Sequence, residues 1–195
     1  PQDFQMIYLV DMEHPGLVVF PTHRLVRDLP NFDKEAVLEK CSEFFYIDEK
    51  EGTDTMEEDL KKLYDEGKKA FGFYCGKDEW FLLTLKDINV MSQMLPDVSK
   101  ASQSLDVSVL HTLILEKIFG IDKENMAKQI NLTYTKFFSE AISGVDNGKF
   151  QCSFVLNPTR VTEIRDVAAA GEKMPQKSTY FYPKMITGMV MNNLG

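Results

Sequence analysis

Short runs of β-forming residues alternate with stretches of helical spacing along most of this 195-residue chain, and this alternation limits the fold more than any other feature. The clearest strands are predicted at 71–75 and 79–85, joined by the short Gly-containing turn 76–78 that is typical of a β-hairpin. Further strands are predicted at 130–135 and 150–156, with a helix between them. The alternation predicts an α/β or α+β fold, in which helices flank a mixed β-sheet.

The segment 89–104 interrupts this regular pattern. It contains Pro96 and four serines and has little hydrophobic periodicity, which is typical of a loop or linker. The chain is long enough for one core or for two small ones, and if it forms two subdomains, this loop joins 1–88 to 105–195. The chain begins without a methionine and enters a strand-like run at 4–10, so residues 1–195 are expected to be the C-terminal fragment of a longer protein.

Charge and cysteine content argue against several classes of protein. The chain has 30 Asp and Glu residues and 22 Lys and Arg residues, so its net charge is -8. A negative field of this kind repels nucleic acids. No apolar run approaches the roughly 20 residues that a membrane helix needs, so no membrane association is expected. The three cysteines are far apart in apolar stretches, which indicates reduced packing residues of a cytoplasmic protein. The three histidines lack metal-ligand spacing, so no metal site is expected.

The segment 172–184 is the strongest candidate for a binding site. It combines three lysines, a Ser-Thr pair and three aromatic residues. The polar candidates are Lys173, Lys177, Ser178, Thr179 and Lys184. Lysines supply positive charge and hydroxyls supply short donors, a combination that suits a small anionic ligand. The alternative is a connecting loop whose aromatic rings cap the core and whose lysines are solvated.

A second candidate site follows an apolar strand at 16–20. Thr22, His23 and Arg24 come directly after Pro21, which ends that strand. Arginine can bind a carboxylate or phosphate bidentately, and histidine can act as an acid or base near neutral pH. An ordinary surface turn would have the same composition.

Three further polar residues are secondary candidates. Asp106 and His111 are five positions apart on a predicted helix, so their side chains point about 140° away from each other and do not form an obvious catalytic pair. Asp106 is explained more simply as a helix N-cap and His111 as a partly buried core residue. Asn157 follows the strand 150–156, where binding sites often form, and 157–159 is predicted to open a helix.

The common catalytic and nucleotide-binding motifs are missing from the sequence. It contains no G-x-S-x-G, no G-x-x-x-x-G-K-[ST], no G-x-G-x-x-G, no C-x-x-C and no H-E-x-x-H. The residues alone therefore predict an α/β domain with one or two polar loops that bind a small anionic molecule.

Four segments taken together resemble a known family. They are GLVVFPTHR at 16–24, LDVSVLH at 105–111, GKFQCSFVLNPT at 148–159 and AGEKMPQKSTYFYPK at 170–184. In this order they resemble the C-terminal half of the prokaryotic domain-of-unknown-function family number ten-fifteen. The likeness runs along nearly the whole chain, and its last motif is highly specific.

The resemblance implies a protein in two parts. The N-terminal half of such proteins is ParB-like and ends in an Asp-Gly-His-His-Arg type of motif, which this sequence lacks. Related proteins phosphorylate free serine, so the resemblance implies nucleotide-dependent phosphorylation of L-serine by the parent, with ATP or ADP and Mg²⁺. The present half would then contribute a substrate or phosphate pocket, and the catalytic residues would lie in the other half. The pocket residues implied are Thr22, His23, Arg24, Lys177, Ser178 and Thr179.

A non-catalytic role is the alternative hypothesis. The chain could bind a regulatory ligand, form an oligomer, or buttress its own N-terminal half. The pocket hypothesis makes a structural demand that the alternative does not, because it requires the loops 22–24 and 177–179 to lie side by side.

Overall fold

Eight β-strands form two sheets in the computed structural model, which describes residues 9–12 and 14–184. The strands are β1 (Val18–Phe20), β2 (His23–Val26), β3 (Phe45–Glu51), β4 (Ala70–Tyr74), β5 (Glu79–Leu85), β6 (Leu132–Thr135), β7 (Cys152–Val155) and β8 (Tyr180–Tyr182). Six of them make one sheet in the order β3-β5-β4-β7-β2-β6, and β1 pairs with β8 in a separate two-stranded ribbon. Every pairing between these strands is antiparallel. The predicted class, a sheet with flanking helices, is confirmed.

Helices cover both faces of the six-stranded sheet. They are α1 (Lys34–Cys41), α2 (Met56–Asp65), α3 (Val90–Met94), α4 (Lys100–Gln103), α5 (Asp106–Val109), α6 (Lys123–Lys128), α7 (Phe138–Asp146) and α8 (Val161–Ala169). A 3₁₀ turn at Thr53–Thr55 leads into α2, and α5 continues as a π-helix over Leu110–Glu116. None of the helices in the part of the chain described is long and apolar enough to cross a membrane.

Two hydrophobic cores result from the alternation of side chains along the strands. On β4, Phe71 and Phe73 face the larger core, which α1, α5 and the π-helix cover, whereas Tyr74 faces the smaller core under α2 and α7. Phe154 on β7 stacks on Phe73 at a ring distance of 4.9 Å in the larger core. On β2 the same alternation turns Arg24 and Val26 toward one face and His23 and Leu25 toward the other.

The segment 89–104 differs from the predicted loop because it contains the two short helices α3 and α4. The buried side chain of Gln103 holds them together, since its Nε2 donates to the carbonyls of Leu95 and Val98 at 2.8 and 3.0 Å. Strands from both sides of this segment share the large sheet, where β4 pairs with β7. The sheet is thus common to the two predicted subdomains.

Two more elements do not match the sequence prediction, or lie where the structure does not test it. The strand-like run predicted at 4–10 lies mostly outside the described residues, and Leu9 and Val10 are not in a strand. Helix α8 begins at Val161, four residues after the predicted start, because Arg160 is its N-cap and Glu163 accepts from the Arg160 amide at 2.9 Å.

Candidate anion-binding site

Arg24 on β2 is fully buried and ties together segments that are far apart in the sequence. Its Nη1 donates to the Thr22 carbonyl, and its Nη2 donates to the Lys177 carbonyl at 3.1 Å. Nη2 also lies 3.3 Å from Nε2 of His111. Tyr134, directly across the β2–β6 ladder, places its ring centre 5.5 Å from the guanidinium carbon.

The positive charge of Arg24 has no acidic partner among the residues that the structure describes, and its Nε has no hydrogen-bond partner there. Burial lowers the pKa of Arg24 to about 10, so the guanidinium stays charged at neutral pH. A buried charge without a counter-ion is costly. An anion held close to Arg24 would offset that cost.

A groove of about 320 Å³ adjoins Arg24 at the edge of the sheet. Its lining residues are Thr22, Tyr134, Thr135, Lys136, Phe137, Glu140, Lys177, Thr179 and Tyr180, and we call it the lysine groove. Neither Lys136 nor Lys177 forms an ion pair with any described residue. Glu140, the carboxylate in the lining, accepts a hydrogen bond from the Thr135 hydroxyl. Two cationic side chains and several hydroxyls are thus collected in one groove.

Aromatic rings fix the position of Lys136 in this groove. Its Nζ donates to the Tyr180 hydroxyl at 3.3 Å and lies 4.4 Å from the centre of that ring. The rings of Phe137 and Phe20 are 5.0 and 5.6 Å from the same Nζ. Cation–π contacts of this kind hold an ammonium without neutralising it. Lys184 lies nearby, with its Nζ 4.6 Å from the Tyr180 ring.

The two predicted loops lie side by side because of the β1–β8 ribbon. Phe20 pairs with Tyr180 in antiparallel register, so the residues after Phe20 run beside those before Tyr180. Thr22, Lys177 and Thr179 therefore line one groove. Ser178, between the latter two, is buried instead, and its Oγ has no hydrogen-bond partner within the described residues. The loops 22–24 and 177–179 are therefore adjacent, as the pocket hypothesis requires, and the binding role of their residues stays a prediction.

His23 lies next to Arg24 on β2 but does not line the lysine groove. Its Nδ1 accepts a hydrogen bond from the Leu156 amide at 3.2 Å, which leaves the proton on Nε2. Burial, and secondarily the charge of Arg24, lower the pKa of His23 to about 4. His23 is therefore a neutral, buried residue at neutral pH.

His111 lines a second cavity, which shares Tyr134 with the lysine groove. Two adjoining hollows of about 570 and 270 Å³ share His111, Lys123 and Pro175, and together we call them the histidine cleft. The remaining lining residues are Leu95, Asp97, Val98, Ser102, Ser108, Thr112, Met126, Tyr134, Glu172, Lys173 and Gln176. Burial, together with Arg24, lowers the pKa of His111 to about 3. His111 lies on the π-helix, a conformation often found at functional sites.

Asp106 and Asn157 lie outside both the groove and the cleft. Asp106 is not the N-cap that the sequence predicted. The N-cap is Leu105, and Asp106 is instead paired with Lys69 at 2.8 Å, while Lys69 also pairs with Glu163 at 2.9 Å. Asn157 donates from Nδ2 to the carbonyl of Leu60 at 2.9 Å, a structural contact.

The sequence analysis missed Lys136, Tyr134 and Glu172. Lys136 and Tyr134 reach the site only because β6 pairs with β2, a pairing of segments more than 100 residues apart that no local pattern shows. Glu172 lies in the predicted loop, but the sequence does not reveal its hydrogen bonds with Ser99 and Ser102 at α4.

The lowered pKa values of His23 and His111 predict that the protein loses stability in mild acid. Their pKa values of about 4 and 3 in the folded state lie below the value of about 6.5 in an unfolded chain, so the unfolded state binds more protons between these limits. The free energy of unfolding should therefore fall as pH drops from about 6.5 to about 4, by up to about 1.4 kcal/mol per pH unit for each histidine. Urea unfolding at a series of pH values measures this slope.

Replacing His111 with Gln is the matched control for this pH effect. Its amide can still accept from Arg24 but does not titrate. The variant should lose about half of the histidine-dependent slope, and an unchanged slope would show that the pKa of His111 is the same in the folded and unfolded states.

Comparison with known proteins places the chain in a family. A family model described as "Protein of unknown function (DUF1015)" matches residues 1–108, more than half of the chain. The chain belongs to this family. No curated protein gave a significant match to it.

Solved structures of other proteins are similar to this one at low sequence identity. A conserved hypothetical protein from Pyrococcus furiosus is 16% identical with a TM-score of 0.50, and the match covers 88% of this chain and 59% of that protein. A variant of a free serine kinase in complex with ADP is 13% identical with a TM-score of 0.49 over 89% and 57% of the two chains. A free serine kinase in complex with AMP is 16% identical with a TM-score of 0.48 over 88% and 56%. The first likeness shows a shared fold, and this family member spans about three fifths of that protein's length.

Proposed function

We propose that the lysine groove binds the phosphate group of a small substrate, within a longer protein that phosphorylates free L-serine. The observation that supports this is the convergence of Lys136 and Lys177 with the hydroxyls of Thr22 and Thr179 in one groove. Arg24 stands behind them as a buried charge without an acidic partner in the described residues. The serine substrate and the nucleotide come from the family resemblance of the sequence motifs.

Phosphoryl transfer needs charge neutralisation and alignment more than covalent help. The ammonium groups of Lys136 and Lys177 would neutralise phosphate oxygens, and the hydroxyls of Thr22 and Thr179 would donate hydrogen bonds to them. Arg24 adds positive potential and fixes the backbone of Thr22 and Lys177. These residues bind and orient a phosphate, and we place the group that takes the serine proton in the N-terminal half.

A nucleotide with Mg²⁺ would supply the phosphoryl group in the longer protein. The groove fits the phosphate end of such a donor, because its lining is cationic and hydroxyl-bearing. Mg²⁺ prefers several oxygen ligands, carboxylates among them. Glu140 is the carboxylate in the groove, and no group of three or more His, Cys, Asp and Glu side chains able to hold a metal ion occurs among the residues described. We therefore assign the metal ligands to the other half.

A second candidate function is buttressing of the ParB-like N-terminal half that the resemblance implies. Phe137 and Tyr182 beside the groove are each 52% exposed. Exposed aromatic side chains that lie close together can form a surface that another part of the protein covers. A buttressing role would use this surface and would not need the charge of Lys177.

Replacing Lys177 with Ala in the longer protein separates the two functions. Lys177 is exposed, so the substitution should leave the melting temperature unchanged. If the groove binds phosphate, kcat/KM for phosphorylation of free serine should fall at least tenfold, which corresponds to about 1.4 kcal/mol of transition-state stabilisation.

Lys62→Ala is the matched control, because Lys62 is an exposed lysine on α2 outside the groove. It should change neither the rate nor the melting temperature. Equal activity in the Lys177 and Lys62 variants would contradict the phosphate role and favour buttressing.

A further inference from the structure

The histidine cleft holds a carboxylate that is fixed but not neutralised. Glu172 accepts from the Ser99 amide at 2.7 Å, from the Ser99 hydroxyl at 2.8 Å and from the Ser102 hydroxyl. These hydrogen bonds lower the pKa of Glu172, first through Ser102 and then through Ser99. No described Lys, Arg or His pairs with it. A carboxylate has about four acceptor positions, so one remains for a cationic ligand group.

Donor groups line the same cleft. The guanidinium of Arg24 can only donate, so Nε2 of His111 must be the acceptor in their contact and the proton must be on Nδ1. This Nδ1–H has no partner among the described side chains and backbone groups. Lys123, at the start of α6, is exposed and likewise has no ion pair within the described chain. Together they can bind an anionic ligand group, with Arg24 adding positive potential behind His111.

Apolar side chains complete the lining. Leu95 and Val98 lie in the larger hollow, and Val98 is 36% exposed. The volume of about 570 Å³ is within the range of roughly 300–1,000 Å³ that is typical of small-molecule sites. An acceptor for an ammonium group, donors for a carboxylate and an apolar wall therefore occur in one cavity.

We propose that the histidine cleft binds a zwitterionic amino acid with an apolar side chain. Its ammonium group would bind Glu172, its carboxylate would bind His111 and Lys123, and its side chain would pack on Leu95 and Val98. A simple anion fits less well, because Glu172 and Asp97 repel it. Free serine fits less well, because it has no side chain to cover the apolar wall. This second ligand is independent of the phosphate proposed for the lysine groove.

Calorimetric titration of the 195-residue chain with L-leucine tests the proposal. 3-Methylbutylamine keeps the ammonium group and side chain of leucine but lacks the carboxylate, and 4-methylpentanoate lacks the ammonium group instead. L-Serine keeps both charged groups but lacks the apolar side chain. We expect measurable binding of leucine and at least tenfold weaker binding of the other three. Absence of leucine binding, or binding of any of the other three compounds as tight as that of leucine, would overturn the proposal.

Variants locate the binding site. Glu172→Gln keeps the size of the side chain but removes its charge, and it should weaken leucine binding at least tenfold. Glu66→Gln, at an exposed glutamate beyond α2, is the matched control and should leave binding unchanged. If Glu172→Gln lowers the melting temperature, Lys123→Met provides a second test, because Lys123 is exposed and unpaired among the described residues. Leucine binding that both Glu172→Gln and Lys123→Met leave intact would place it outside this cleft.

Discussion

Replacing Lys69 with Met should destabilise the protein by about 3–5 kcal/mol, because it leaves two largely buried carboxylates without the ammonium group that pairs with both. Lys69 pairs with Asp106 at 2.8 Å and with Glu163 at 2.9 Å, and the three side chains are only 18, 12 and 19% exposed. Burial lowers the pKa of Lys69, but the two carboxylates more than offset this and raise it. For a chain of this length the loss corresponds to a fall of roughly 10 °C in melting temperature. Urea unfolding measures the change.

Two further variants show whether unpaired charge causes this loss. Lys61→Met removes an exposed lysine that pairs with Asp65 on the same helix, and it should cost less than about 0.5 kcal/mol. Adding Asp106→Asn and Glu163→Gln to Lys69→Met removes the orphaned charges and should recover part of the stability. If the triple variant is no more stable than Lys69→Met, lost packing rather than unpaired charge explains the effect.

The individual strands were largely predictable, because the sequence signals of a strand are local. Runs of β-forming residues on either side of the turn 76–78 predicted the β4–β5 hairpin. Asp33 caps α1 with hydrogen bonds to two amides, as its residue type favours. The order of the strands was not predictable, since β7 inserts between β4 and β2 through long-range pairing. The antiparallel direction of all the strand pairs depends on this long-range pairing, so it could not be predicted from any single strand.

Tertiary contacts overrode local signals elsewhere. The serines and Pro96 of 89–104 predicted a loop, yet Ser99 caps α4 and Gln103 bonds back to the preceding helix. Asp106 has the residue type of an N-cap, but a buried ion pair with Lys69 uses its carboxylate. Short helices held by such long-range contacts have no sequence signature of their own.

The candidate site was predictable only in part. Thr22, Lys177 and Thr179 lie together in the lysine groove, as the pocket hypothesis requires. His23 was grouped with Arg24, but neighbouring residues on a strand face opposite sides, so the two separate. Lys136 was not singled out, because a single lysine after a short strand carries no signal without the fold.

Replacing both Lys136 and Lys177 with Met should weaken the binding of inorganic phosphate by about 100-fold. A charge-assisted hydrogen bond contributes about 1.5–3 kcal/mol when shielded from water, and we take about 1.4 kcal/mol for each lysine in this open groove, a factor of ten apiece. Calorimetric titration of the double variant and the unmodified chain measures the ratio. Lys62→Met with Lys77→Met, two exposed lysines outside the groove, is the matched control and should leave the affinity unchanged.

The most direct measurement is the titration of the unmodified 195-residue chain with inorganic phosphate, repeated at two salt concentrations. The lysine groove predicts saturable binding of one phosphate that weakens with added salt and is about 100-fold weaker in the Lys136 and Lys177 double variant. Absence of saturable binding, or binding that the double variant retains in full, would contradict the assignment of this groove to phosphate.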